Sequence, residues 1–171
     1  MDLKALVRSI PDFPKPGILF RDITPLIGDA DGFEALVNEM AQPLFDRDVD
    51  LVVGPEARGF IFGSALASML HAGFVPARKP GKLPYETIGC TYGLEYGSDE
   101  LQIHVDAIKP GQRVAIVDDL LATGGTALAC AKLVEKAGGI VTGFVFAIEL
   151  CDLNGRETLA GYPKGHVADA V

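Results

Sequence analysis

The sequence predicts an α/β domain whose mostly parallel sheet is flanked by helices. Short apolar runs alternate with stretches of helical periodicity along the 171 residues, and this alternation is typical of parallel sheets. Turns rich in small residues follow two of these runs, at the strand ends where such sheets bind ligands. The length suits a single domain, residues 1–171, without an internal repeat or a linker.

The first half of the chain is predicted to contain two helices before a regular strand–helix unit. Its elements are a helix over 2–10, an ordered loop over 13–27, a helix over 33–45, a strand over 49–53 and a helix over 60–70. Pro11 ends the first helix and Pro43 ends or bends the second, because proline lacks the N–H that a helix needs. Asp31 is a candidate cap for the second helix.

The second half continues the alternation around one irregular segment. Its elements are a strand over 74–77, an excursion over 81–99, a strand over 114–117, a helix over 128–137 and a strand over 140–150. The excursion is polar, contains glycine and shows little periodicity, which favours a mobile segment or a β-ribbon. Gly138 and Gly139 end the last helix.

Charge and composition argue against two classes of partner. A net charge of -8 makes nucleic acid and anionic membrane surfaces unattractive partners. No apolar run approaches the length of a membrane span, and the N-terminus lacks a signal-peptide pattern. Cys90, Cys130 and Cys151 are odd in number and show no metal-ligand spacing. We therefore expect a cytoplasmic protein in a reducing compartment.

Residues 114–126 carry the most specific pattern in the chain. A β-branched run ends in two adjacent carboxylates, Asp118 and Asp119, and a loop of small and hydroxyl residues follows. This loop consists of Ala122, Thr123, Gly124, Gly125 and Thr126. Backbone N–H groups at such a turn bind anions and carboxylates accept hydrogen bonds from hydroxyls, so the segment suits a phosphorylated sugar. It lacks the Gly-Lys-Ser/Thr ending of an ATP-binding P-loop, and no Gly-x-Gly-x-x-Gly dinucleotide fingerprint follows Val117.

This segment resembles the phosphoribosyl-diphosphate signature of the type I phosphoribosyltransferases, in which strand, paired acids and Thr-Gly-Gly-Thr loop occur in register. The resemblance implies the type I phosphoribosyltransferase fold, with a small N-terminal hood over residues 1–30 and a flexible catalytic loop over 81–99 that closes as a lid. It also implies that the loop cradles a 5-phosphate, while both Asp residues accept from ribose hydroxyls. A plain βα turn with a threonine N-cap is the alternative that the local sequence permits.

Further motifs resemble the adenine phosphoribosyltransferases. They extend from about Ile10 to Leu159 and comprise residues 13–26, 56–60, 78–84 and 94–97. The implied reaction belongs to purine salvage: N9 of adenine displaces diphosphate from C1 of 5-phosphoribosyl 1-diphosphate and forms AMP. Mg²⁺ is expected as cofactor, bound through substrate diphosphate and water without a direct protein ligand. The resemblance also implies a homodimer.

Two turns are expected to hold the diphosphate. Arg58, with Glu56 and Ala57, follows a predicted strand, where a guanidinium can bind phosphate oxygens in a fixed geometry. Arg78 and Lys82 delimit a cluster that carries three of the chain's 15 Lys and Arg residues within five positions. An exposed surface role is the alternative for each of these cations. The resemblance further implies a cis peptide bond between Glu56 and Ala57.

The resemblance assigns the base and the proton chemistry to two other segments. Leu19, Phe20 and Arg21 are expected to bind adenine, with the Phe20 ring stacked on the purine. Glu95 is expected to contact the base near N7 and to manage the proton as N9 attacks, and Tyr96 to help close the lid. From the residues alone, a core aromatic and an exposed acid are the ordinary interpretations of Phe20 and Glu95.

Two other functions are weighed against this prediction. One is transfer to another purine, hypoxanthine or guanine, and the other is a regulator that binds phosphoribosyl diphosphate without turnover. The regulator is disfavoured, because the chain has no room for an added DNA-binding domain and retains Arg58, Lys82 and Glu95. The tail over 161–171 departs from the family, since it is small, polar and weakly patterned where a C-terminal strand is usual.

Overall fold

The computed structural model describes residues 1–93, 97–163 and 167–169. Its strands, in chain order, are β1 (Arg8–Pro11), β2 (Leu19–Asp22), β3 (Leu51–Pro55), β4 (Gly73–Ala77), β5 (Thr87–Gly93), β6 (Ser98–His104), β7 (Arg113–Leu121), β8 (Ile140–Glu149) and β9 (Val167–Asp169). Its α-helices are α1 (Thr24–Gly28), α2 (Ala30–Ala41), α3 (Gly59–Met69), α4 (Gly125–Lys136) and α5 (Gly155–Thr158). Short 3₁₀ helices span Leu3–Leu6, Gln42–Leu44 and Cys151–Leu153. None of the described helices is both long enough and apolar enough to cross a membrane.

The central sheet confirms the predicted α/β class. Its strands are parallel and lie in the order β4–β3–β7–β8–β9. Along β7, Val114 and Ile116 pack on the side of α4, whereas Ala115 and Val117 pack on the side of α2 and α3. Because helices cover both faces, the inner strands are apolar throughout instead of alternating, which is what made them recognisable in the sequence.

The predictions for the N-terminal region are wrong in two places. Residues Leu3–Leu6 form only a 3₁₀ turn capped by Asp2, and β1 replaces the rest of the helix predicted over 2–10. The loop predicted over 13–27 contains β2 and most of α1. Strands β1 and β2 pair antiparallel, so a partner strand, and not local periodicity, decides the conformation here.

The ends of the helices follow capping chemistry. Asp29 Oδ1 accepts a hydrogen bond from Gly32 N at 2.7 Å, so Asp29, two residues before the predicted Asp31, is the N-cap of α2. Pro43 lies in the 3₁₀ turn that follows this helix, as predicted. Gly138 follows the end of α4 with a φ of 88°, which confirms the predicted glycine stop.

Strands β5 and β6 confirm the β-ribbon predicted in the irregular segment. They pair antiparallel from Thr87, opposite His104, to Gly93, opposite Ser98. Lys136 Nζ of α4 donates to the carbonyl of Gly89 at 3.2 Å, so β5 lies beside this helix. The ribbon extends past the predicted limit at residue 99, and its action as a lid stays a prediction.

The atypical tail contributes a strand after all. Residues Val167–Asp169 form β9, which pairs parallel with β8 at the edge of the sheet. An edge strand is bonded on one side only and can be very short, so it needs little of the apolar pattern that marks an inner strand.

Candidate active site

A cavity of about 190 Å³ lies where β7 ends and α4 begins. Its lining includes Arg58 from the turn after β3, together with Asp118, Asp119, Ala122, Thr123, Gly124, Gly125 and Thr126. This is the carboxyl edge of the parallel sheet, where ligands bind in such folds. The structure therefore brings the two acids, the predicted phosphate loop and one predicted diphosphate residue into a single site.

Arg58 and Asp119 form an ion pair in this cavity. The Arg58 Nε donates to Oδ2 of Asp119, whose side chain is only 10% exposed. This hydrogen bond raises the pKa of Arg58, so the guanidinium stays charged. A fixed cation thus faces the space between β3 and β7, with an acid as its partner in the free protein.

Asp118 lies in a tighter environment than its neighbour. Burial, and next the charge of Asp119, raise the pKa of Asp118 well above its usual range. A Cβ at Gly59 would lie 3.0 Å from Asp118 Oδ1, so the missing side chain lets α3 approach this carboxyl closely. A carboxyl that holds its proton can donate as well as accept, and two adjacent carboxyls can therefore bind a diol.

Helix α4 begins after a glycine of the phosphate loop and has no threonine cap. Gly124 is the N-cap of α4 with a φ of 86°, in the left-handed region, and no side chain caps the helix. The first helical hydrogen bond runs from Leu128 N to the Gly124 carbonyl at 2.9 Å. The N–H groups of the first turn have no partner within the helix and carry the positive end of its dipole, so they can bind an anion. The plain threonine-capped turn is therefore excluded.

A second cavity, of about 850 Å³, lies between β2 and the segment that follows β8. Leu19 and Arg21 line it, and Arg21 Nη1 donates to Ser9 Oγ. Phe20 lies on the opposite face of β2, where its ring packs edge-on against Phe13 at 5.1 Å between centroids. The structure thus brings Leu19 and Arg21, but not Phe20, to one cavity.

The two cavities are neighbours at the sheet edge. Leu121 lines the first and Leu150 lines the second. Leu150 N donates to the carbonyl of Leu121 at 2.9 Å. One backbone hydrogen bond between the ends of β7 and β8 thus separates a phosphate-sized space from a larger, partly apolar one.

The turn after β3 is tied to the basic cluster that follows β4. The Glu56–Ala57 peptide is cis, as the resemblance implies. Glu56 Oε1 accepts from Arg78 Nε at 3.2 Å and from Lys79 N at 2.8 Å. Lys79 Nζ in turn lies 2.9 Å from Asp99 Oδ2 of the ribbon.

Comparisons with known proteins agree with this geometry. A family model described as phosphoribosyl transferase domain matches residues 27–149. An adenine phosphoribosyltransferase of Clostridium botulinum (strain Eklund 17B / Type B) is 64% identical over 162 residues, which cover 95% of this chain and 94% of the relative. The chain belongs to the adenine phosphoribosyltransferase family. A crystal structure of a family member from Thermoanaerobacter pseudethanolicus superposes with a TM-score of 0.93 at 53% identity and covers 99% of this chain and 98% of that one.

A third family member carries ligands. The Saccharomyces cerevisiae adenine phosphoribosyltransferase, solved in complex with an imino-altritol bisphosphate and adenine, is 42% identical with a TM-score of 0.86 and 91% coverage of both chains. These likenesses confirm the predicted type I phosphoribosyltransferase fold.

Of the predicted site residues that the structure describes, Phe20, Glu56, Ala57, Arg78 and Lys82 line neither cavity. Lys82 lies on the exposed segment between β4 and β5, apart from the residues that line them. Glu95 and Tyr96 lie outside the described residues. Lys79 belongs to the predicted basic cluster, but its ion pair with Asp99 was not predicted, because the two residues are far apart in the chain and no local pattern indicates the pair.

No group of three His, Cys, Asp or Glu side chains in the described part of the chain could hold a metal ion. The acid best placed for a cation, Asp119, is already paired with Arg58. Magnesium binding through the substrate therefore stays a prediction.

Proposed function

We propose that this chain transfers the 5-phosphoribosyl group of 5-phosphoribosyl 1-diphosphate to N9 of adenine, forming AMP and diphosphate in purine salvage. The observation that carries the proposal is the pair of adjoining cavities. One combines paired acids, an arginine and helix-terminal N–H groups, and the other is large enough for a purine. Membership of the adenine phosphoribosyltransferase family selects adenine among the purines.

The donor is oriented by the groups that line the smaller cavity. Its 5-phosphate lies against the N–H groups of the phosphate loop, at the positive end of the α4 dipole. The ribose hydroxyls then meet Asp118 and Asp119, which can exchange hydrogen bonds with a diol. The diphosphate extends toward Arg58 and the turn after β3, where Arg78 adds a second guanidinium.

The chemistry follows from where charge develops. Cleavage of the C1–O bond places positive charge on the ribose ring and negative charge on the leaving diphosphate. Asp119 lies on the ribose side and Arg58 on the diphosphate side, so each faces a charge of opposite sign. Catalysis then comes mainly from orientation and fixed charges, since no covalent bond to the protein is required.

The base and its proton complete the reaction. Adenine enters the larger cavity, where Leu19 and Arg21 contact it and the backbone of β2 reads its edge. Glu95, by its match to the family motif, acts at N7 and manages the proton while N9 attacks C1. Tyr96 and the ribbon close over the site and exclude water, which would otherwise hydrolyse the donor.

Three further properties belong to the same proposal. Mg²⁺ supplies charge neutralisation on the diphosphate oxygens when it is bound, with water as its remaining ligand and no protein-only site. The chain works as a homodimer, as the family resemblance implies. It acts in the cytoplasm, where free cysteines stay reduced.

An activity screen with separated bases tests the proposal. Purified protein is incubated with 5-phosphoribosyl 1-diphosphate, Mg²⁺ and either adenine, hypoxanthine, guanine or orotate, and nucleotides are resolved by chromatography. We expect AMP from adenine and little product from the other bases. Absence of AMP, or a faster reaction with hypoxanthine or guanine, would overturn the assignment, and omission of Mg²⁺ tests the cofactor.

A further inference from the structure

Thr158, the last residue of α5, is bonded to the backbone of the phosphate loop. Its Oγ1 donates to the carbonyl oxygen of Thr123 at 2.6 Å, across 35 positions of the chain. Thr158 lines a different cavity, of about 290 Å³, together with Gly125 and Tyr92. Thr158 therefore contacts the loop itself and not the space that we assign to the donor.

The contact from Thr158 also fixes the orientation of the Gly124 N–H, because this N–H belongs to the same peptide as the Thr123 carbonyl. The peptide is trans, so its carbonyl and its N–H point in opposite directions. A hydrogen bond that holds the carbonyl toward α5 thus turns the Gly124 N–H away from α5. Thr123 and Gly124 both line the 190 Å³ cavity, where an N–H at a helix N-terminus can bind an anion.

Loop and helix are also packed backbone on backbone. A Cβ at Gly124 would lie 2.7 Å from the carbonyl oxygen of Gly155 and 2.9 Å from Thr158 Cβ. Helix α5 is itself anchored, because Arg156 Nε lies 2.8 Å from Glu149 Oε2 and Leu159 is 1% exposed in the core. These contacts fix α5 on the domain and thereby fix the position of the Thr158 hydroxyl.

We propose that Thr158 is a positioning residue for the donor, which holds the Thr123–Gly124 peptide in the orientation where the Gly124 N–H binds the 5-phosphate. The inference rests on the proposed function, because it takes the 5-phosphate as the ligand of this loop. Without the hydroxyl the peptide can rotate in the free protein and must be ordered when the donor binds. Donor affinity then falls, while the adenine cavity is left as it was.

The test compares three threonine variants. Thr158→Val removes the hydroxyl at nearly constant volume, and Thr158→Ser keeps it. Thr142→Val makes the same change at a buried threonine whose hydroxyl has no hydrogen-bond partner among the described residues. Binding of ribose 5-phosphate is measured by titration calorimetry, and KM for 5-phosphoribosyl 1-diphosphate, KM for adenine and kcat are measured at saturating Mg²⁺.

We expect Thr158→Val to weaken ribose 5-phosphate binding and to raise the donor KM by about fivefold. The adenine KM should stay as in the unchanged protein, and both Thr158→Ser and Thr142→Val should retain donor affinity. Unchanged donor affinity in Thr158→Val, or an equal loss for adenine, overturns the proposal. If the unchanged protein makes no AMP, the proposed function fails, but the ribose 5-phosphate titration still decides the role of Thr158.

Discussion

Substitution of Gly124 by alanine should test two requirements for glycine in the phosphate loop, a positive φ and the close approach of α5. The residue has a φ of 86°, and the left-handed region costs an alanine roughly 1–2 kcal/mol. The new Cβ would also lie 2.7 Å from the Gly155 carbonyl oxygen. Either the loop or α5 must move to relieve this contact, and such overpacking costs roughly another 1–3 kcal/mol.

Gly111 supplies the matched control. Its φ is 83°, and a Cβ there would meet nothing within 4 Å. Gly111→Ala therefore carries the conformational cost alone, about 2–8 °C in melting temperature for a chain of this size. Gly124→Ala carries both costs and should lower the melting temperature by about twice as much. Because either movement disturbs the contact between the loop and α5, the KM of Gly124→Ala for 5-phosphoribosyl 1-diphosphate should rise on the order of tenfold or more.

Thermal unfolding and steady-state kinetics of the two variants check this reasoning. The adenine KM should change little in both, since the contact lies on the donor side of the site. If Gly124→Ala melts at the same temperature as Gly111→Ala and keeps the donor KM of the unchanged protein, the close packing of the loop against α5 does not contribute to function.

Three other changes test separate features of the site and core. Glu95→Ala should lower kcat on the order of 100-fold with little change in donor binding; equal losses in both would contradict a role in proton transfer. Asp118→Asn removes a carboxyl whose pKa is raised by burial and then by Asp119, so native stability falls as pH rises above about 3.8. Thermal melts from pH 4 to 8 should show that Asp118→Asn is more stable than the unchanged protein by a margin that grows with pH. A margin that does not change with pH would contradict the raised pKa as its cause. Thr142→Val should stabilise the fold by about 1 kcal/mol in urea titrations, because the buried hydroxyl has no described partner; a loss would reveal one.

The inner strands of the sheet could be predicted because each is buried on both faces. The inner strands β3 and β8 start and end within two residues of the predicted limits, as do helix α3 and the edge strand β4. The N-terminal hairpin was missed, since its strands are four residues long, largely exposed and joined by a segment that contains proline and glycine. Their conformation depends on each other, and that pairing has no local signature.

In the site, too, local sequence patterns could be predicted and long-range contacts could not. Asp118, Asp119 and the phosphate loop are contiguous in sequence, so their chemistry could be recognised together. The bond from Thr158 to Thr123 and the pair between Lys79 and Asp99 join residues that are far apart in the chain. Such contacts become visible only when the fold brings the segments together.

The ion pairs around the diphosphate turn change what kind of anion this surface can attract. Arg58, Arg78 and Lys79 each already have an acidic partner, Asp119, Glu56 and Asp99 respectively. An incoming anion therefore meets cations whose charge is already partly neutralised by carboxylates. A ligand that also makes contacts elsewhere in the cavity can compensate for this weaker attraction, whereas a nucleic-acid backbone, held by charge alone, cannot. In this acidic protein, carboxylates beside the cations thus favour anions that make further contacts in the cavity.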